Sequence, residues 1–187
     1  MASTLKVDTI QTNDGSGTIA LQNQLSGMTT ASLPTVTTDK LGTGAVLQVV
    51  QTTNTGDVST SSTSYSDKMS ASITPSSTSS KILIRGMVPC RAAHNTTNNA
   101  DHSGHIRIVD GSNNVIVQTG KYITWAYAAS TSTPWSQQTH YFEYLHSPST
   151  TSAITYKVQV AASNASNLMY FGHDANLSSI TLMEIAG

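Results

Sequence analysis

The feature that most constrains the fold is an alternation of apolar and polar residues with a period of two. Residues 68–74 place Met69, Ala71 and Ile73 at every second position, and residues 81–88 do the same through Ile82, Ile84, Gly86 and Val88. Successive side chains of a strand point to opposite faces, so such a run buries one face and wets the other. Runs of strand length recur at 46–52, 105–109, 115–118, 121–127, 139–145, 154–160, 168–171 and 180–185. Clusters of Gly, Pro, Asn, Asp and Ser separate them, and no window of about eleven residues carries the helical period. An all-β chain is therefore expected, with about nine strands in an antiparallel β-sandwich or jelly-roll. Pro75-Ser-Ser-Thr-Ser-Ser80 between two alternating runs marks residues 68–88 as the clearest hairpin, and Asp110-Gly-Ser-Asn-Asn114 joins another pair.

Two regions differ in texture. Residues 1–44 hold few large apolar side chains, in strand-like pieces at 5–11 and 18–22 split by Asn13-Asp-Gly-Ser-Gly17. Asp-Gly with a second glycine nearby is good turn chemistry. A segment this thin buries no core of its own, so it must pack on its own chain, on copies of itself or on another protein. Residues 25–40, with Pro34, read as a linker or a winding connection. The expected division is an N-terminal attachment and trimerisation segment, 1–44, and a C-terminal head, 45–187.

Composition narrows the partners. Charged residues are 10% of the 187, the formal net charge is −1, and Ser with Thr make up about three residues in ten. Such a surface makes contacts through hydroxyls, amides and backbone. Phosphate binding needs a basic surface, so no nucleic acid is expected. No run reaches the ~18 apolar residues that span a bilayer. Met1-Ala-Ser-Thr4 leads straight into a polar segment with neither a basic nor an apolar stretch, so no signal peptide is expected. The single cysteine, Cys90, leaves no partner for an intrachain disulfide and follows an apolar run, where it reads as a small buried hydrophobe.

Three candidate chemistries remain. His94, Asp101, His102 and His105 offer metal-ligand types, but residues 91–104 are rich in Asn and Thr and read as an exposed polar loop, so no metal or other cofactor is expected. Catalysis lacks a Gly-x-Ser-x-Gly elbow, and Asp101, Asp110, Glu143 and Asp174 form no carboxylate pair suited to glycoside hydrolysis, so no enzyme is expected. Tyr122, Trp125, Tyr127, Trp135, Tyr141, Phe142 and Tyr144 could stack on sugar rings, although strands also select aromatics for packing. Tyr141 and Phe142 are adjacent and must face opposite sides. Trp135, in the loop Ser130-Thr-Ser-Thr-Pro-Trp-Ser136, is the best exposed candidate.

Ser3-Thr-Leu-Lys-Val-Asp-Thr-Ile-Gln-Thr12 resembles the opening of short fibre-type proteins of marine phages, especially those of cyanobacteria. Gly44-Ala-Val-Leu-Gln-Val-Val-Gln51, then Ser72-Ile-Thr-Pro-Ser-Ser-Thr-Ser-Ser-Lys-Ile-Leu-Ile84, resembles a β domain of phage tail-fibre proteins, and Ser179-Ile-Thr-Leu-Met-Glu-Ile185 is similar to its last strand. The middle, about residues 90–175, matches nothing comparable. The resemblance implies a virion protein made in the host cytoplasm: a homotrimer with its N-terminal strands intertwined, attached to other virion proteins, and its head facing outward. A core-poor N-terminus gains a core when three copies wind together. The expected function is a tail fibre or fibre tip that contacts a host surface glycan or protein, with a capsid decoration protein or head fibre as the alternative. Recognition concentrates in loops on a rigid scaffold, which points to His94, Asn95, Asn98, His102, His105 and Trp135 as contact residues.

Overall fold

The computed structural model describes residues 41–94, 101–118, 126–127, 135–165 and 167–187. Contacts divide the chain into Met1–Thr37 and Thr38–Gly187; the described residues belong to the second unit, and the expected intertwined N-terminal strands lie outside them. In chain order the strands are β1 (Val46–Asn54), β2 (Val58–Thr60), β3 (Ser66–Ile73), β4 (Lys81–His94), β5 (Asp101–His102) and β6 (Gly104–Asp110). They continue as β7 (Val115–Gln118), β8 (Ala126–Tyr127), β9 (Trp135–His146), β10 (Ile154–Ala162), β11 (Asn167–Phe171) and β12 (Ser178–Ile185), with a 3-10 turn at His173–Ala175 before β12. Every pairing is antiparallel. The expected all-β sandwich is what the head forms. Among the described residues no helix is long and apolar enough to cross a membrane.

The sandwich has a six-stranded and a four-stranded sheet, with β5 and β8 as a separate small pair. The long strand β4 organises the larger sheet. Strand β9 lines one edge of β4 from Ile82 to Ala93, while β12 (along Lys81–Met87) and β11 (along Cys90–His94) share the other edge. Strand β1 extends the sheet beyond β12, and β2 extends it beyond β11. The smaller sheet runs β3-β10-β6-β7.

Alternation puts the core between the sheets. Ile82, Ile84, Val88, Cys90 and Ala92 of β4, with Ile180 and Leu182 of β12, are buried against Met69, Ala71 and Ile73 of β3, Ile106 and Ile108 of β6, and Tyr156, Val158 and Val160 of β10. Each Ile, Leu, Val or Met among them stabilises the fold by roughly 1.5–3 kcal/mol when fully removed from water. Cys90 donates from Sγ to the Val88 carbonyl at 3.2 Å, and burial pushes its thiol up to about 12, partly offset by Lys68. It is the small buried hydrophobe its position suggested.

One expectation fails. Strands β3 and β4 do not pair as a hairpin; β3 lies in the smaller sheet against β10, with Ile73 opposite Ile154, and β4 lies in the larger. In a hairpin the two apolar faces would lie side by side and both would still need cover. Placed in opposite sheets, about 10 Å apart, they cover one another. The β6–β7 hairpin forms as expected. Asp110 Oδ1 accepts from the backbone N–H groups of Ser112 (2.9 Å) and Asn114 (2.8 Å), and Asn113 takes a positive φ of 67°. Asn tolerates that conformation better than most residues.

A buried acid holds the β3–β4 crossover in place. Glu184 sits at the inward position after Ile180 and Leu182, 1% exposed. Its carboxylate accepts from Gln48 Nε2 (2.6 Å), the Ser76 backbone N–H (2.6 Å), Ser76 Oγ (2.7 Å) and Ser80 Oγ (2.7 Å). Burial pushes this carboxyl up, but the bonds from Ser76, Gln48 and Ser80 outweigh it and hold it below its ordinary value. The three C-terminal segments that carry the family resemblance, 44–51, 72–84 and 179–185, therefore meet at a single hydrogen-bonded carboxylate.

Candidate functional site

The two sheets turn different surfaces outward. On the smaller sheet the outward side chains of β3, β6 and β10 bond to one another. Arg107 donates from Nε to Gln159 Oε1 at 2.8 Å and lies 3.8 Å over the Tyr65 ring. Gln159 Nε2 donates to Asp67 Oδ1 (2.7 Å) and Asn113 Oδ1 (3.1 Å), and Lys157 Nζ pairs with Asp67 at 3.4 Å. Ser72 and Thr155 share a hydroxyl hydrogen bond of 2.8 Å. The polar groups named here are satisfied within the face.

The outer face of the larger sheet is built in rows set by strand register. Val49 (β1), Met183 (β12), Leu83 (β4) and Leu145 (β9) are successive cross-strand partners and form an apolar row across four strands. The next row is Gln51, Thr181, Arg85 and Glu143, and the one after it Thr53, Ser179, Met87 and Tyr141. Val49 is 56% exposed, Leu145 47% and Tyr141 70%. In the middle row Gln51 Nε2 donates to Thr181 Oγ1 at 2.9 Å, and Arg85 Nε meets Glu143 at 2.6 Å. Both ionic side chains are more than half exposed, so that pair adds little to stability. The second and third rows enclose a shallow depression of about 400 Å³ between Arg85, Met87, Tyr141, Glu143 and Thr181.

Beneath this surface, Gly86 makes room on the core side for the Phe142 ring. A Cβ there would collide with the Ser179 carbonyl and with the ring of Phe142, its cross-strand partner on the core side. Phe142 packs against the core while Tyr141 faces out, as their adjacency requires. Tyr141 was one of seven aromatics singled out by sequence; its setting beside the apolar row was not visible there. The row joins residues far apart in the chain, and only the pairing register brings them together.

The expected contact residues are placed differently from one another. His94 ends β4 and pairs with Asn167, so the strand runs into the stretch that sequence suggested was loop. Trp135 opens β9 opposite Ala93, a strand position rather than a loop tip. His102 lies in β5 opposite Ala126. His105 lies in β6 opposite Ala161, half-buried, its ring 6.3 Å from that of Tyr65. Asn95 and Asn98 fall outside the described residues, as do Tyr122 and Trp125. Among the described residues no three His, Cys, Asp or Glu side chains converge on a metal site.

Two other histidines, passed over in the sequence, face inward from β9. His146 Nδ1 is 2.8 Å from the Tyr156 hydroxyl, and burial pushes its pKa down, partly offset by Asp110. His140 Nε2 is buried without a hydrogen-bond partner, and burial lowers its pKa as well.

No family model and no curated relative matches the chain. The solved structures it is similar to include proteins of infectious bursal disease virus. The virus-derived T=1 particle gives a TM-score of 0.37 at 10% identity, over 74% of this chain and 36% of that one. A mutant VP2 protein from such particles gives 0.37 at 10%, over 82% and 40%. The VP2 subviral particle gives 0.35 at 11%, over 74% and 37%. This chain thus spans two-fifths or less of the length of those proteins, and likeness at such low TM-scores carries no argument about function.

Proposed function

We propose that the chain is a non-enzymatic structural protein of a bacteriophage particle: a homotrimeric tail fibre or fibre tip whose β-sandwich head touches the host cell surface. The observation that carries this reading is the contrast between the outer faces, one closed by its own polar network and one presenting an unpartnered apolar row. Contiguous exposed apolar surface with a polar border is characteristic of protein that assembles. The fibre-like segments 44–51, 72–84 and 179–185 support the phage assignment, because their convergence on Glu184 makes them parts of one structural unit. The low-charge, hydroxyl-rich surface suits contact with a neutral glycan through hydrogen bonds and aromatic stacking.

Gold-labelled antibody against the head, applied to intact particles, tests the assignment. Label at the tail is expected. Label on the capsid would replace the fibre by a decoration protein or head fibre, and unlabelled particles would contradict a virion role. Within the fibre reading, Trp135→Ala is expected to weaken adsorption to host cells without unfolding the head. Unchanged adsorption would remove Trp135 from the contact surface.

A further inference from the structure

The outer face of the larger sheet has a chemistry that fits itself. We infer that its β4–β9 half is covered by a second copy of this chain, β9 of one copy lying over β4 of the next with the relating axis along the strands. This rests on the self-assembling reading above and names the surface through which the heads meet.

Register carries the argument. Strand β9 lies beside β4 in its own sheet with Leu145 opposite Leu83, Glu143 opposite Arg85 and Tyr141 opposite Met87. Rotation about an axis along the strands preserves their direction, so β9 can be laid over the neighbour's β4 in the same row order. Leu145 then packs on the partner's Leu83, Glu143 faces the partner's Arg85, and Tyr141 covers the partner's Met87. Each contact is favourable by type: aliphatic on aliphatic, acid on base, and thioether on aromatic ring. The Arg85–Glu143 pair, exposed in the single chain, becomes a shared pair between chains. At a net charge of −1 whole copies repel one another little.

The open edge of β9 puts no described strand in the way of a neighbour. Among the described residues no strand pairs with its far side. Its twelve residues include no Lys, Arg or Pro and one formally charged residue, Glu143. Lone proteins usually guard a long edge with lysine, proline or a bulge, and β9 between Trp135 and His146 has none of these.

The test uses full-length chains. One carries Leu145→Cys, the other Leu83→Cys, and the native Cys90 is buried. Co-expressed and mildly oxidised, the pair is expected to form an interchain disulfide that is weak or missing when either variant is expressed alone. Light scattering on the same preparations gives the mass. A multiple of 19.7 kDa with no cross-link would overturn this inference and leave self-assembly standing, through another surface. A mass of 19.7 kDa would overturn both.

Discussion

The two outer faces of the sandwich are made by the same backbone rule and end in opposite states. On the smaller sheet, Arg107, Gln159, Asp67, Asn113 and Lys157 bond to one another, and Gln159 is 5% exposed under its neighbours. On the larger sheet, Val49, Met183, Leu83 and Leu145 make a row that nothing among the described residues covers. A polar network on a sheet surface leaves a partner little to gain, because its donors and acceptors are already satisfied. An apolar row is indifferent within the single chain and gains only when another surface removes it from water. One face therefore serves the stability of the chain, and the other its assembly.

Substitutions should separate these roles. The largest loss is expected beneath both faces, at Glu184. Glu184→Ala leaves the Ser76 N–H and the Ser80 and Gln48 donors without their acceptor and should cost about 2–4 kcal/mol in urea unfolding. Acid reaches the same carboxyl more gently. Its folded pKa lies below its ordinary 4.5, so the stability it supplies is full above that value and is lost as pH falls through the folded one. His140 and His146 are held below the ordinary 6.5 by burial, so the unfolded chain binds protons first and an earlier loss begins as pH drops below 6.5. Unfolding measured from pH 8 downward should thus weaken in two stages, and His140→Leu should reduce the upper one.

On the smaller sheet, Gln159→Ala removes three hydrogen bonds and should cost about 1–2 kcal/mol in the same assay. On the larger, Leu145→Ser should change the stability of the dissociated chain by no more than about 0.5 kcal/mol while weakening association. Equal costs for Gln159→Ala and Leu145→Ser in the dissociated chain would erase the distinction between the faces.

Much of the layer structure was legible in the sequence. The inward positions Met69, Ala71, Ile73, Ile82, Ile84 and Val88 followed from alternation, β7 has the expected bounds, and the Asp110–Asn114 turn followed from its residues. Alternation tells which side of a strand is buried but not which strand lies beside it, so β3 and β4 were paired in error. The same gap hid the site: Val49 and Met183 become neighbours only through the register of β1 on β12. Glu184 did leave a local signal, as the one charged residue at an inward position of an otherwise apolar alternation. Trp135 and the backbone of His94 turned out to be strand positions because β4 and β9 extend further than their apolar runs. Those extensions, Arg91–His94 and Trp135–Gln138, are polar or small apart from Trp135 and hold their place through pairing with each other and, for β4, with β11.

Oxidative footprinting of the intact full-length chain tests the central claim most directly, by comparing Tyr141 and Met87 with residues of the opposite face such as Ser70 and Lys157. Tyr141 is 70% exposed in the single chain. If the face is an assembly surface, Tyr141 and Met87 should be protected at working concentration and become reactive on dilution or in a Leu83→Glu variant. Tyr141 reacting as a free tyrosine at every concentration would contradict the account.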